Sequence, residues 1–186
     1  MKTIINVSII LLITFFLASQ SSAVEKITST DEIHKRGVAS LTGIKNFRLL
    51  SPVLASAGMP TPADLTLIKQ NGYRHIINLI PGNYSKEQQQ VTALDMSFDQ
   101  IPVDWYEPKL ANFQTFVKLM EKYQQDKTLI HCRLNYRASA FVYLYQITQL
   151  GLDETKAKQE MLSIWQPEGN WLDFISKVKN HYQVKQ

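Results

Sequence analysis

Short apolar runs rich in branched and aromatic residues alternate along this chain with longer segments whose apolar positions recur at helical spacing. The short runs predict β-strands and the longer segments predict helices. The predicted strands are 47–50, 54–56, 74–80, 98–103 and 128–131. The predicted helices are 61–71, 85–96, 110–123, 137–150, 153–165 and 170–182. This alternation is typical of an α/β fold with a central, mostly parallel sheet flanked by helices.

Two of the predicted helices begin at local capping signals. Thr61 is suited to the N-cap position, with Pro62 in the first turn and Asp64 reaching back toward the cap. The stretch SKEQ predicts a second capping box, with Ser85 at the N-cap. Both signals place a helix directly after a turn that follows a strand.

The first 23 residues differ from the rest of the chain. Lys2 precedes a mostly apolar stretch over 4–18, and Ser21 and Ala23 supply the small residues of a cleavage site. The apolar stretch is short for a membrane span, so the pattern predicts a secretory signal peptide. We therefore expect an exported protein, periplasmic or secreted, that has no membrane association after cleavage. The expected organisation is a signal peptide at 1–23, a polar lead-in at 24–40 and one globular domain at 41–186.

The composition is that of an ordinary globular domain. Of the 186 residues, 45% are hydrophobic and 19% are charged. Without Lys2 the chain carries 19 basic and 16 acidic residues, and the basic ones are scattered apart from a cluster at 34–36, so no nucleic-acid surface is predicted. The four histidines lie far apart and there is one cysteine, so we expect no metal site and no cofactor. The composition indicates no particular oligomeric state.

The one cysteine, Cys132, lies between a predicted strand and the first turn of a helix, in the stretch IHCRLNYRAS. The N–H groups of such a loop and of the helix N-terminus converge on one point, where the helix dipole adds partial positive charge. A thiol at that point ionises readily, and the planar guanidinium of Arg137 is suited to bind two oxygens of an oxyanion. Ser139 supplies a hydroxyl that can contact the thiolate. The pattern predicts a nucleophilic thiolate beside an oxyanion-binding loop.

An exported protein usually pairs its cysteines, so an unpaired Cys132 needs an explanation. It is a buried inert residue, one half of an intermolecular bridge or a reactive thiol. Arg137 favours the reactive thiol, because a cation is unfavourable in the first turn of a helix unless an anion binds beside it.

A second loop is expected at the same edge of the sheet, after the strand over 98–103. Asp104 in this loop is the candidate general acid for a leaving group, and Glu107 is the reserve. Aromatic side chains from both loops are expected either to line a substrate cleft or to pack around the loops. They are Trp105, Tyr106 and Tyr136.

The residues around the cysteine have supporting and binding roles in this interpretation. His131 is expected to support the loop through its ring and not to react. Asn135 is the residue best suited to a left-handed backbone conformation, because asparagine tolerates it best after glycine. The residues expected to contact substrate or phosphate are Arg133, Leu134, Asn135, Tyr136 and Arg137.

The order His-Cys, a short loop, Arg and Ser before a helix resembles that of the cysteine-dependent tyrosine and dual-specificity phosphatases. The segments LASAGMPTPADL, HIINLIP, IPVDWYEP, HCRLNYRASAFVYLYQ and SIWQP are similar to a bacterial exported subgroup of that superfamily, over about 47–174. The resemblance implies a tyrosine-phosphatase-like fold, and thus a phosphatase-like domain at 41–186. It also implies hydrolysis of phosphate monoesters, of protein phosphotyrosine or of a small molecule, through a phosphocysteine. In it Cys132 corresponds to the nucleophile, Arg137 to the phosphate-binding arginine, Ser139 to the hydroxyl after it, and Asp104 to the general acid.

The loop departs from the family pattern in length. Four residues separate Cys132 from Arg137, whereas the general pattern has five. One residue fewer shortens the loop by roughly 3.8 Å and removes one N–H donor. Four is also the spacing of rhodanese-like sulfurtransferases, whose loop holds a cysteine persulfide. The sequence therefore leaves open a sulfurtransferase and a catalytically weak, anion-binding pseudophosphatase. In each case the expected partner is a phosphorylated substrate or another oxyanion.

Overall fold

The computed structural model describes residues 41–184. Its strands are β1 (Arg48–Ser51), β2 (Leu54–Ala57), β3 (His75–Asn78), β4 (Ser97–Gln100) and β5 (Thr128–His131). They form one sheet in the order β1-β2-β5-β3-β4. Its helices are α1 (Pro62–Gln70), α2 (Ser85–Thr92), α3 (Leu110–Lys122), α4 (Tyr136–Thr148), α5 (Glu154–Leu162) and α6 (Asn170–His181). The predicted signal peptide at 1–23 and lead-in at 24–40 lie outside the described residues.

The sheet is mostly parallel, which confirms the predicted α/β fold class. β1 pairs antiparallel with β2, and the other three pairings are parallel. In the parallel register Ala57 is opposite His131, His131 is opposite Asn78, and Asn78 is opposite Gln100. The carboxyl ends of four strands therefore meet along one edge of the sheet, where α/β proteins bind their ligands.

Helices cover both faces of the sheet because neighbouring strand residues point to opposite sides. Ile77 and Ile130 pack in a large core with α3, α4, α5 and α6. Ile76 and Leu129 pack in a second core with α1 and α2. The central helix is α4, which is buried without interruption from Ala138 to Ile147. None of the helices within residues 41–184 has both the length and the apolar character needed to cross a membrane.

The two predicted capping signals have different outcomes. The capping box of α1 is confirmed, because Thr61 and Asp64 each accept a hydrogen bond from the other's backbone N–H. The box predicted at Ser85 is wrong, since Ser85 is already inside α2 and Tyr84 is the N-cap residue without a side-chain bond. The cause is Asn83, whose side-chain oxygen accepts the Ser85 N–H at 2.9 Å and starts the turn earlier.

A carboxylate joins the last three helices, α4, α5 and α6. Tyr143 of α4 and Lys179 of α6 both donate hydrogen bonds to Oε1 of Glu154 on α5, at 2.9 and 2.5 Å. The hydrogen bond from Lys179 is the main reason that the pKa of Glu154 lies below its ordinary value of 4.5. Burial, followed by the bond to Glu154, raises the pKa of Tyr143. The ionised form of Glu154 therefore stabilises the packing of α5 and α6 on α4.

We expect Glu154→Gln to lower the free energy of unfolding by about 1 kcal/mol at pH 7. Because the pKa of Glu154 is lower in the folded chain than in the unfolded one, its contribution is present above about pH 4.5 and is lost as the pH falls further. The variant should therefore show a smaller decline in stability between about pH 5 and pH 3 in denaturant titrations. Glu160→Gln, an exposed change on the same helix, should keep the parent's decline. Equal declines in parent and Glu154→Gln would contradict the role of this carboxylate.

Candidate active site

Cys132 lies at the meeting point of the four strand ends. It directly follows β5, and its backbone N–H donates to the carbonyl of Ala57 at the end of β2, at 3.3 Å. The residue is 1% exposed and is a free cysteine. Its side chain nevertheless lines an open cavity above the sheet edge. The thiol is therefore shielded on all sides but one.

Two asparagines fix the loop between Cys132 and α4. The side-chain N–H of Asn46 donates to the carbonyl of Leu134 at 2.9 Å. In return the side-chain N–H of Asn135 donates to the carbonyl of Asn46 at 2.7 Å, and to the hydroxyl of Ser56 at 3.0 Å. Asn135 is fully buried and has φ 70° and ψ 5°, so its predicted left-handed conformation is confirmed. We call this arrangement the asparagine pair, Asn46 and Asn135.

The segment after β2 forms a second support beneath the loop. The N–H of Met59 donates to the carbonyl of Arg133 at 3.2 Å, and the N–H of Gly58 donates to the carbonyl of Lys45. A Cβ atom at Gly58 would lie 2.8 Å from Cβ of Lys45 and 3.1 Å from the carbonyl oxygen of Arg133. Position 58 therefore accepts only glycine without a backbone shift, because one of these neighbours is main chain.

These contacts decide which way the loop's polar groups face. The carbonyls of Arg133 and Leu134 are bound on the β2 side. Within residues 41–184, no protein atom accepts a hydrogen bond from the N–H groups of residues 133, 134 and 136–138, whereas the antiparallel bridge between Gly58 and Leu134 turns the N–H of Asn135 toward the β2 side. These donors include the first turn of α4, where the helix dipole is positive. The loop and the helix N-terminus thus present a set of unpaired donors next to Cys132, which we call the oxyanion cradle (residues 132–138).

Arg137 is held at the edge of the cradle by two contacts. Its Nε–H donates to the carbonyl of Val103 at 3.0 Å, and its guanidinium carbon lies 5.3 Å from the centre of the Trp105 ring. Both partners belong to the segment after β4, whose residue Trp105 is fixed in turn because its carbonyl accepts bonds from Asn170 and Trp171 of α6. The terminal nitrogens of Arg137 stay available for an anion in the cavity.

The cavity over Cys132 has a volume of about 420 Å³. The predicted cleft residues Trp105 and Tyr136 form part of its wall, whereas Tyr106 is 83% exposed and is not among the lining residues. The full lining is Ile80, Pro81, Trp105, Cys132, Arg133, Leu134, Tyr136 and Arg137. A second cavity of about 500 Å³ shares Trp105 and Tyr136 and extends toward Trp165 and Trp171. Substrate atoms next to the reacting group would therefore meet mainly apolar and aromatic surface in the cavity over Cys132. Atoms that reach the second cavity would also meet the polar side chains of Gln166, Glu168 and Asn170.

The two candidate acids do not line either of these cavities. Asp104 is exposed, and its Oδ1 accepts the backbone N–H groups of Tyr106 and Glu107 at 2.7 and 3.1 Å. Glu107 is also exposed and lies 3.6 Å from the ammonium group of Lys109. Asp104 therefore stabilises its own loop, next to a residue, Trp105, that does reach the cavity.

The hydroxyl of Ser139 is engaged away from the cavity over Cys132. It donates to the carbonyl of Tyr136 at 3.0 Å and accepts the indole N–H of Trp165 at 3.1 Å. Ser139 does not line the 420 Å³ cavity. It ties the first turn of α4 to the segment that follows α5.

His131 supports the loop from below, and its partner is a residue that the sequence did not single out. Its ring is fully buried, with Nε2 2.8 Å from Oε1 of Glu87 on α2. Other supports that the sequence did not indicate are Asn46, Ser56, Gly58 and Asn78. Asn46 lies 88 residues from the carbonyl that it binds, so no local pattern points to it. In the described part of the chain no three metal-ligating side chains cluster.

Asn135 gives a direct test of how the loop is held. We expect Asn135→Ala to be less stable than Asn135→Gly by about 1 kcal/mol, because alanine pays a steric penalty at positive φ and glycine does not. Both variants lose the bonds to Asn46 and Ser56, so their difference isolates the backbone conformation. Chemical denaturation of the two variants measures it. Equal stability of the two would contradict a left-handed residue in the loop.

Solved structures resemble the chain over most of its length, although no protein-family model and no curated protein sequence matches it. A candidate phosphatase of the DUF442 family from Shewanella putrefaciens CN-32 is 32% identical, with 78% of this chain and 98% of that one covered and a TM-score of 0.70. TpbA of P. aeruginosa, solved with phosphotyrosine, is 15% identical, with 75% and 91% covered and a TM-score of 0.59. PTPMT1 is 16% identical, with 74% and 96% covered and a TM-score of 0.62.

The similarities to TpbA and PTPMT1 show a shared fold, that of the cysteine-dependent tyrosine phosphatases. The DUF442 protein from Shewanella putrefaciens is similar enough in sequence, over enough of both chains, to show family membership. The predicted tyrosine-phosphatase-like fold is therefore confirmed. The chain belongs to the DUF442 family of phosphatase-like proteins.

Proposed function

We propose that the protein hydrolyses phosphate monoesters through a phosphocysteine formed on Cys132. The observation that carries this proposal is the oxyanion cradle, in which a single thiol, unpaired N–H donors and Arg137 face one cavity. Family membership with a candidate phosphatase supports the same chemistry. Three oxygens of a phosphoryl group match a ring of backbone donors and a planar guanidinium.

In the first step the Cys132 sulfur attacks phosphorus from within the cradle. The S–P bond forms as the P–O bond to the leaving group breaks, and the leaving oxygen takes a proton. The equatorial oxygens carry the developing charge, which the N–H groups and Arg137 stabilise. In the second step water attacks phosphorus and gives up a proton, the S–P bond breaks, and inorganic phosphate leaves the restored thiolate.

Asp104 is our proposed donor of the leaving-group proton, with Glu107 in reserve. The loop of Asp104 adjoins the cavity through Trp105, so a turn of the Asp104 side chain away from its own loop N–H groups would carry the carboxyl inward. In the second step the same carboxylate, now without its proton, would take the proton that the attacking water gives up.

We propose a substrate with an aromatic or apolar group next to the phosphate, such as phosphotyrosine. Ile80, Pro81, Trp105 and Tyr136 line the route away from Cys132. Among the proteins of similar fold, TpbA was solved with phosphotyrosine and PTPMT1 with the phosphoinositide PI(5)P. The chain carries the pattern of a signal peptide, so we place this activity outside the cytoplasm.

A sulfurtransferase is the second candidate, favoured by two observations. The cradle has four residues between Cys132 and Arg137, and neither candidate acid lines the cavity. Transfer of a sulfane sulfur needs no acid. Cys132 would attack thiosulfate, releasing sulfite and leaving a persulfide, and cyanide would take the outer sulfur as thiocyanate.

Parallel assays of the reduced domain separate the two candidates. We expect the parent to release phosphate from an aryl phosphate. The rate of release should fall by at least about 100-fold in Cys132→Ser, because serine is a far weaker nucleophile at neutral pH. The same samples receive thiosulfate and cyanide. Thiocyanate without phosphate would overturn the phosphatase proposal in favour of the transferase. If neither phosphate nor thiocyanate is formed, the remaining candidate is an anion-binding pseudophosphatase.

The role of Asp104 has a test of its own. We expect Asp104→Asn to lower kcat on phenyl phosphate by about 100-fold and to change kcat on p-nitrophenyl phosphate much less, because only the poor leaving group needs a proton. Steady-state kinetics on both esters measure the contrast. Loss of the phenyl activity in Glu107→Gln, with Asp104→Asn unaffected, would assign the acid to Glu107 instead.

A further inference from the structure

Three polar side chains are buried together beneath the oxyanion cradle. Asn78 ends β3, His131 ends β5, and Glu87 lies in the first turn of α2. Asn78 and His131 are fully buried and Glu87 is 7% exposed. None of the three lines the 420 Å³ cavity, so none touches a substrate held there.

The ring of His131 is held by one polar contact among residues 41–184. Its Nε2 lies 2.8 Å from Oε1 of Glu87, although the two atoms are not aligned as a hydrogen bond. Its Nδ1 is buried and has no hydrogen-bond partner in the described part of the chain. The Glu87 carboxylate is therefore the one polar group described beside the His131 ring nitrogens.

Glu87 is itself oriented by Asn78. The side-chain N–H of Asn78 donates to Oε2 of Glu87 at 2.8 Å, and its oxygen accepts the N–H of Ile80 at 2.7 Å. The N–H of Leu79 also donates to the carbonyl of His131 at 2.9 Å. The group thus connects the residue before Cys132 with Ile80, a wall of the cavity.

A carboxylate at this depth is unfavourable unless its surroundings compensate for the lost water. The N-terminal turn of α2 and the Asn78 amide compensate in part. An apolar side chain of similar size would fill the space without this desolvation cost. The arrangement is explained if it fixes the His131 ring, and through it the backbone from which the cradle starts.

We infer that Glu87 is a positioning residue, whose carboxylate holds His131 and thereby sets Cys132 in register with the donors of the oxyanion cradle. The inference rests on the proposed anion-binding role of the cradle. The asparagine pair fixes the loop from the β2 side, and Glu87 with Asn78 fixes it from the β3 side.

The test compares alkylation of Cys132 by iodoacetate and by iodoacetamide. Cys132 is the one cysteine of the chain, so intact mass follows the reaction at a single site. Iodoacetate is an anion that the cradle would bind beside the thiol, while iodoacetamide is neutral. Their rate ratio therefore reports the register of thiol and cradle, and a general change in access to the buried thiol affects both reagents.

We expect the parent to prefer iodoacetate and Glu87→Gln to reduce the ratio at least fivefold. Glutamine keeps the shape of the side chain, and thermal unfolding verifies that the variant is folded. Glu87→Asp, which keeps the charge but is shorter, should give an intermediate ratio. Lys86→Gln removes an exposed charge from the same helical turn and should keep the parent's ratio.

Two results would overturn the inference in different ways. A parent that prefers iodoacetate, with the same ratio in a folded Glu87→Gln, would exclude the positioning role and leave the proposed function intact. If the parent reacts with iodoacetate no faster than with iodoacetamide, the loop does not bind anions beside the thiol. The proposed function and this inference would then fail together.

Discussion

The reciprocal hydrogen bonding of Asn46 and Asn135 is the interaction on which the rest of the site depends. Each side chain binds main chain of the other's segment, so the two segments are fixed although they lie almost 90 residues apart. Because the loop carbonyls are bound on the β2 side, most of the loop N–H groups remain for a ligand. Carbonyl oxygens that faced the cavity would repel an anion, so holding them on the β2 side favours anion binding.

The same interaction explains how a loop of four residues closes between a strand and a helix. The chain must reverse direction within a short contour, and a left-handed residue achieves this in one step. Asn135 takes that conformation and uses its side chain to hold it, which glycine could not do. The contracted loop is therefore a well-supported structure. Its smaller set of donors bears on whether a phosphoryl group or a persulfide fits best.

Local signals in the sequence were sufficient for the parts of the fold that depend on neighbouring residues. The strand before Cys132 and the capping box at Thr61 lie where their patterns predict them. The box at Ser85 failed because Asn83 forms a competing turn just before it. Membership in a parallel sheet also brought Cys132 and Trp105 to one edge, as the strand order along the chain implies.

The supports of the site could not be predicted, because they depend on contacts between distant segments. Glu87 looks like an ordinary polar residue in a helix start, and only the packing of α2 on the sheet brings it to His131. Ser139 and Asp104 stand close to Cys132 in sequence or on a neighbouring loop, yet their side chains satisfy local groups. The sequence therefore predicted that these two residues lie near Cys132. It could not predict that their polar atoms bind groups of their own segments.

The chemistry proposed for the site requires residues 132–138 to form a cradle for an oxyanion. A crystal structure of the reduced protein grown with tungstate, a phosphate mimic, tests this requirement. We expect tungstate above Cys132, within hydrogen-bond distance of the loop N–H groups and of the terminal nitrogens of Arg137. Tungstate bound only elsewhere, with the loop N–H groups turned away from the cavity, would contradict it.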